Sequence, residues 1–447
     1  REGDLMIVRR AIAAQLLILC ALVPVARAEQ YNLDRCLELA LEASTNVGVS
    51  REQLRSARSN VLRSYGGLMP NLNVNMWVGH SWAGPTTGIV IDDQGRPIQP
   101  SGFDYEQYSF SLQSQMSLFN WGANYNTIDQ SKRGADAAAY DLEYTRDLVR
   151  ALTIREYYEL VRQNRLEEVQ VANLEAKRRN LEQIEAFYKI GSRTKADYLQ
   201  ARVDYSNSEL LLMNVRNAKA LADARLKSRL DIPQDATLDI DQSLEFVPAE
   251  FDLNSEVDYM FEHRSDLLAS RKRIDAARAG LSVSEKARYP SIDGSFSYGW
   301  NDREFPGSGE TFKNNYSWSV GAFLNWNLFD RFQTKSNIQN AKAQHRIAEY
   351  NLQQAKIDAV LDVKQIVLNI EQARERLDLA EETVAAAEEN LRLAEERYRV
   401  GAGTILETIE ASSSLTSAQA SLIDARVDYL VNRADLQRAT GRLVTSQ

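Results

Sequence analysis

The sequence predicts a mainly α-helical fold that also carries a few membrane-type β-strands, the whole plan being written twice along the chain. Three observations carry this. Two stretches of about seventy residues, 123–190 and 332–400, lack proline and are rich in alanine, leucine, glutamate, arginine and glutamine. Four shorter segments alternate apolar and polar residues. A phrase at 187–201, FYKIGSRTKADYLQA, returns at 397–411 as RYRVGAGTILETIEA.

The repeat is extensive. Tyr188 aligns with Tyr398, Gly191 with Gly401, and Leu118-Phe119-Asn120 with Leu328-Phe329-Asp330, all at an offset of 210 and without a gap. Further upstream, SARSNVLRSYGGLMPNLNV (56–74) resembles AARAGLSVSEKARYPSIDG (276–294), and Pro70 aligns with Pro290. A duplication of this length sets the architecture and has to be read before any local motif.

The elements follow in order. Residues 1–28 carry Arg9-Arg10, an apolar run from Ala11 to Val23, and Ala26-Arg27-Ala28. That is the basic, apolar, A-x-A order of a secretory signal, with cleavage expected after Ala28. Cys20 follows Leu19, where a lipidated signal prefers a small residue, so a cleaved secretory signal is favoured over a lipid anchor at Cys20. The first repeat then spans 29–230, with a β-hairpin at about 70–118 and a helical tip near 191. Residues 231–257, with Pro233 and Pro248, form an irregular connector or equatorial segment. The second repeat spans 258–447, with a β-hairpin at about 290–328 and a tip near 401.

The strands have a period of two. Leu72, Val74, Met76 and Val78 alternate with Asn71, Asn73, Asn75 and Gly79, and Tyr108, Phe110, Leu112 and Met116 alternate with Ser109, Ser111, Gln113 and Gln115. Ile292, Phe296, Tyr298 and Trp300, then Tyr316, Trp318, Val320, Leu324 and Trp326, repeat the pattern. About ten residues with aromatics near the ends suits a tilted strand with one face to lipid. Alternation alone also fits a half-buried sheet in a soluble domain. Polar segments at about 81–105 and 301–315 read as surface loops.

The long segments are helical, and at 1.5 Å per residue about seventy residues extend roughly 105 Å. In the second, Leu377, Ala380, Val384, Ala387, Leu391, Ala394 and Tyr398 step by three and four as a heptad seam. Small alanines there let helices approach closely. Four strands leave two open edges, which lipid cannot satisfy, and closure needs about eight strands or more. One chain must therefore associate with copies of itself.

The duplicated order of helix, Pro-ended hairpin, LF(N/D), long helix, Tyr-x-x-Gly tip and returning helix resembles the outer-membrane efflux (TolC-type) family over about 31–443. The resemblance implies a homotrimer. Four strands per chain make one 12-stranded outer-membrane β-barrel, continued by a long periplasmic α-helical barrel. It also implies a passive exit duct of a tripartite efflux pump or a type I secretion system. The implied partners are a periplasmic adaptor protein and an inner-membrane RND or ABC transporter. The competing class is an exported structural or adhesive coiled-coil protein without a pore, which accounts for the helices but not for the strands.

At the tips, Gly191 and Gly401 suit the positive φ that ends a helix, and Thr194 and Thr404 are placed to cap the returning helices. This is turn chemistry, and the resemblance adds that such turns receive the adaptor. Glu407 and Glu410, spaced i, i+3, share one helix face. A solvated face is one reading. By resemblance, the two form a selectivity ring at the periplasmic entrance, which in a trimer would gather six carboxylates that favour cations. The first tip has Asp197 but Gln200 at the matching places. Relatives latch the closed tip with a Tyr and an Arg of the second repeat. Here Tyr398 is present, Gly403 stands at the Arg position, and Arg193 occupies the equivalent place in the first repeat. Tyr398, Asp197 and Arg193 are thus the latch candidates.

Nothing points to catalysis. His80, His263 and His345 show no metal-ligand spacing, and there is no G-x-S-x-G, P-loop or H-E-x-x-H. No cofactor is expected, and a formal charge of −9 argues against nucleic acid.

Overall fold

A computed structural model describes residues 31–85, 88, 90–91, 93–98, 102–244, 249–305 and 313–442. The predicted signal segment 1–28 lies outside the described residues, as do parts of both predicted loops. In chain order the elements are α1 (Leu33–Ala43), α2 (Thr45–Tyr65), β1 (Asn73–Ala83), β2 (Val90–Ile91), β3 (Pro97–Ile98), β4 (Phe103–Phe119), α3 (Ala123–Lys189) and α4 (Lys195–Leu230). After the connector come α5 (Leu253–His263), α6 (Ser265–Lys286), β5 (Ser291–Asp302), β6 (Tyr316–Asn325), α7 (Gln333–Arg399) and α8 (Ile405–Thr440).

The chain forms two compact units that each draw on both repeats. One takes the N-terminal part to Thr45, Arg146–Leu253 and Val363–Gln447; the other takes Asn46–Thr145 and Asn254–Asp362. The second unit holds the antiparallel sheet β1-β4-β5-β6. Its register places Val74 opposite Leu112, Phe110 opposite Trp300, and Tyr298 opposite Trp318. A bulge interrupts β4 at Ser117/Phe119. Val74, Met76, Val78, Trp318, Val320 and Leu324 are all more than half exposed. A half-buried soluble sheet would cover such a face, because burying one large apolar side chain stabilises by about 1.5–3 kcal/mol.

The two-stranded ribbon β2–β3 inside the first predicted loop is an addition to the four predicted strands. It was hidden in the sequence because each of its strands has only two residues, too few to show a period.

The repeated LF(N/D) motif has a structural explanation. Asp330 Oδ2 accepts from the Thr334 N–H at 2.7 Å, and the Gln333 N–H donates to the Asp330 carbonyl, so the residue caps the start of α7. Asn120 stands at the same place before α3, where its carbonyl accepts from the Ala123 N–H. Trp121 is held by its indole N–H, which donates to the Pro290 carbonyl at 2.8 Å, and by its ring against Tyr289.

In the first unit the predicted heptad seam of α7 turns inward. Leu377, Ala380, Ala387 and Ala394 are buried, and α8 contributes Ala425, Val427, Tyr429 and Leu430. The irregular connector is fastened at its backbone by side chains of the helices. Tyr157 Oη donates to the Asp241 carbonyl, Arg165 Nη2 to the Gln242 carbonyl, and the Ala249 N–H to Tyr429 Oη. Each bond satisfies backbone that no regular element pairs. Among the described residues no helix is long and apolar enough to cross a membrane.

Candidate functional site

The two helical tips belong to the first unit, and their geometry follows from the repeated sequence. Gly191 has φ +75° and Gly401 φ +77°. The Ser192 N–H donates to the Phe187 carbonyl and the Gly191 N–H to the Tyr188 carbonyl; Ala402 and Gly401 do the same to Arg397 and Tyr398. These paired bonds satisfy the last carbonyls of α3 and α7 and require a residue at ease with positive φ. No heavy atom lies within 4 Å of where a Cβ at either glycine would sit, so the requirement is conformational rather than one of space.

Thr194 and Thr404 cap α4 and α8, their Oγ1 atoms accepting from the N–H groups of Asp197 and Glu407, each at 3.2 Å. At the first tip Asp197 completes a reciprocal box, with Oδ2 accepting from the Thr194 N–H (3.1 Å) and Oγ1 (2.9 Å). At the second tip Glu407 turns instead toward the helix before the turn, its Oε2 lying 3.4 Å from Arg397 Nη1. Glu410, one turn further, is exposed and meets no cation among the described residues.

The latch candidates come together in part. The Arg193 guanidinium lies 4.3 Å from the centre of the Tyr398 ring, joining the first tip to the second. Tyr398 Oη is buried without a hydrogen-bond partner, and burial raises the phenol's pKa, with the Arg193 charge opposing and the Asp197 charge reinforcing. Asp197 makes its hydrogen bonds to Thr194 and reaches Tyr398 only through its field. Beneath lie Ile184, Ala201, Ile405 and Ile409, with Tyr398 and Tyr198 packed on them, so both hairpins share one small core. A groove of ≈ 620 Å³ opens beside it, lined among others by Arg179, Arg193, Arg399, Phe187 and Tyr398.

Sequence reasoning missed Arg397. Its contact with Glu407 crosses the turn and follows no helical spacing, so no periodicity could point to it. Among the described residues no group of His, Cys, Asp or Glu is arranged to hold a metal ion.

A four-stranded antiparallel sheet with an apolar face, in a chain with two 67-residue helices that reverse at capped glycine turns, defines a class: outer-membrane channel proteins with long helices. The chain belongs to the outer membrane efflux protein family, whose profile matches residues 36–230 and 258–442. It is 26% identical over 409 residues to the outer membrane protein TolC of Vibrio cholerae, covering 88% of this chain and 86% of the relative. It is 21% identical over 420 residues to the pyoverdine export outer membrane protein OpmQ of Pseudomonas aeruginosa, covering 92% and 85%. The solved structure of the outer membrane protein VceC from Vibrio cholerae shares the fold, with a TM-score of 0.77 at 19% identity over 92% of this chain and 96% of that one. The protein is therefore an outer-membrane efflux channel with its helical portion in the periplasm, in a family of channels rather than of enzymes.

Proposed function

We propose that three copies of the chain close one 12-stranded barrel and one helical tunnel, forming the passive exit duct of a tripartite efflux pump or a type I secretion system. The observation that carries this is a set of unfinished faces. The sheet ends at β1 and β6, neither of which has an outer partner among the described residues. On α4, Leu199, Val203, Leu210 and Met213 form an exposed stripe with heptad spacing, and on α7 so do Leu379, Leu393 and Val400. Edges in lipid and apolar heptad stripes in water both call for a neighbour, and further copies supply both at once.

In this reading a secretory signal at 1–28 brings the chain to the periplasm. The turns at Gly191–Thr194 and Gly401–Thr404 receive a periplasmic adaptor, and an inner-membrane transporter of RND or ABC type supplies the energy. The Arg193–Tyr398 contact holds the tips closed, with Asp197 acting on it electrostatically. Opening separates the second hairpin from the first and returns Tyr398 Oη to water, where it regains a hydrogen-bond partner. Glu407 and Glu410 face the axis and favour cations. Recordings from planar bilayers test the ring: Glu407→Ala combined with Glu410→Ala lowers the preference for K⁺ over Cl⁻. Unchanged selectivity removes the ring from the account.

A further inference from the structure

Arg397 lies closest to the ring carboxylates, and the ring reading leaves it without a role. It stands two residues before the end of α7 and is held at several points. Nη1 lies 3.4 Å from Glu407 Oε2, and Nη2 donates to the Ala402 carbonyl at 3.4 Å. The turn folds onto its stem: the Gly403 N–H donates to the Arg397 carbonyl, and a Cβ at Gly403 would sit 3.1 Å from Arg397 Cβ. Glycine at 403 thus leaves room for Arg397 to lie across the turn.

The duplication supplies a control within the chain. In the first tip, Phe187 stands at the place of Arg397 and Gln200 at the place of Glu410. There the acid at the matching place, Asp197, has no such cation and closes the capping box on Thr194. In the second tip Thr404 still caps through Oγ1, but the Glu407 carboxylate goes to Arg397. The other arginines nearby are engaged elsewhere or line the groove. Arg392 pairs with Glu389 and Glu396, Arg193 lies on Tyr398, and Arg399 lines the groove beside Tyr398.

We infer that Arg397 is a specificity-determining residue of the pore entrance, cancelling the charge of Glu407 and leaving Glu410 to set the cation preference. The inference rests on the ring reading above. A separation of 3.4 Å is less than half the screening length of about 8 Å at physiological salt, so a passing ion meets the pair as a dipole rather than as a charge. Each chain then contributes one effective negative charge at the ring instead of two.

The test uses the full-length protein in planar bilayers under a KCl gradient, reading the K⁺:Cl⁻ permeability ratio from the reversal potential. Arg397→Gln is expected to raise the ratio about two-fold or more, and Arg397→Lys to keep it near the wild-type value. A ratio unchanged in Arg397→Gln while Glu410→Gln lowers it overturns the inference and leaves the ring standing. A ratio unchanged in the combined Glu407→Gln, Glu410→Gln variant overturns both. Glu407→Gln gives a second reading that needs no change at Arg397. With Arg397 then offsetting Glu410, the ratio falls to near unity, and a clear remaining cation preference contradicts the inference.

Discussion

Cys36, the free cysteine of the described residues, shows how a side chain reports the fold around it. It is fully buried in α1, and burial pushes its thiol from 9.0 up to about 12. The folded pKa is raised, so the linked stability is complete below the unfolded thiol's value and is lost as the pH climbs through the folded one. The window is therefore pH 9 to 12. A maleimide at pH 8 should leave Cys36 unlabelled in the folded protein and label it fully in denaturant, as read by mass spectrometry. Rapid labelling of the folded protein would place α1 away from its packed position. At the same scale, the tip residues were legible because their chemistry is local. Glycine at positive φ and threonine three residues on announce themselves in any sequence. Arg397 was not legible, since its value lies in a carboxylate that comes near only once the turn is made.

Among the elements, the strands and long helices follow directly from period and composition. Leu72, Val74 and Met76 alternate with Asn71, Asn73 and Asn75, and the α7 seam from Leu377 to Ala394 steps by three and four. What pattern could not supply is the pairing between elements. Lys177 and Asp204 form a 2.9 Å ion pair with the lysine almost fully buried, yet they lie on different helices and share no periodicity. Sequence also could not separate the α7 seam that is buried within the chain from the stripe left exposed, because both repeat at heptad intervals. That difference carries a prediction. If the stripes on α4 and α7 meet in the assembly, each leucine buried there stabilises it by about 1 kcal/mol or more, whereas a glutamate would have to be desolvated. Leu210→Glu combined with Leu393→Glu should abolish heat-modifiable trimers while leaving the helical circular dichroism of the chain intact. Trimers of unchanged stability would show that these faces have another role.

At the scale of the molecule, the duplication and the compact units divide the chain differently. The repeats run along it one after the other, while each unit gathers segments of both. This follows from the long helices: α3 and α7 each contribute residues to both units, so the matching parts of the two repeats fold together. The sheet is likewise shared, with β1 and β4 from one repeat and β5 and β6 from the other. Four strands cannot close a barrel, so the proposed pore requires further copies of the chain. The most direct test takes the protein from an outer-membrane fraction and measures both its migration without heating and its conductance in a planar bilayer. Three copies closing one barrel predict a band that migrates as a trimer until boiled and discrete single-channel steps from the same material. A single heat-insensitive monomer band with no conductance would contradict it.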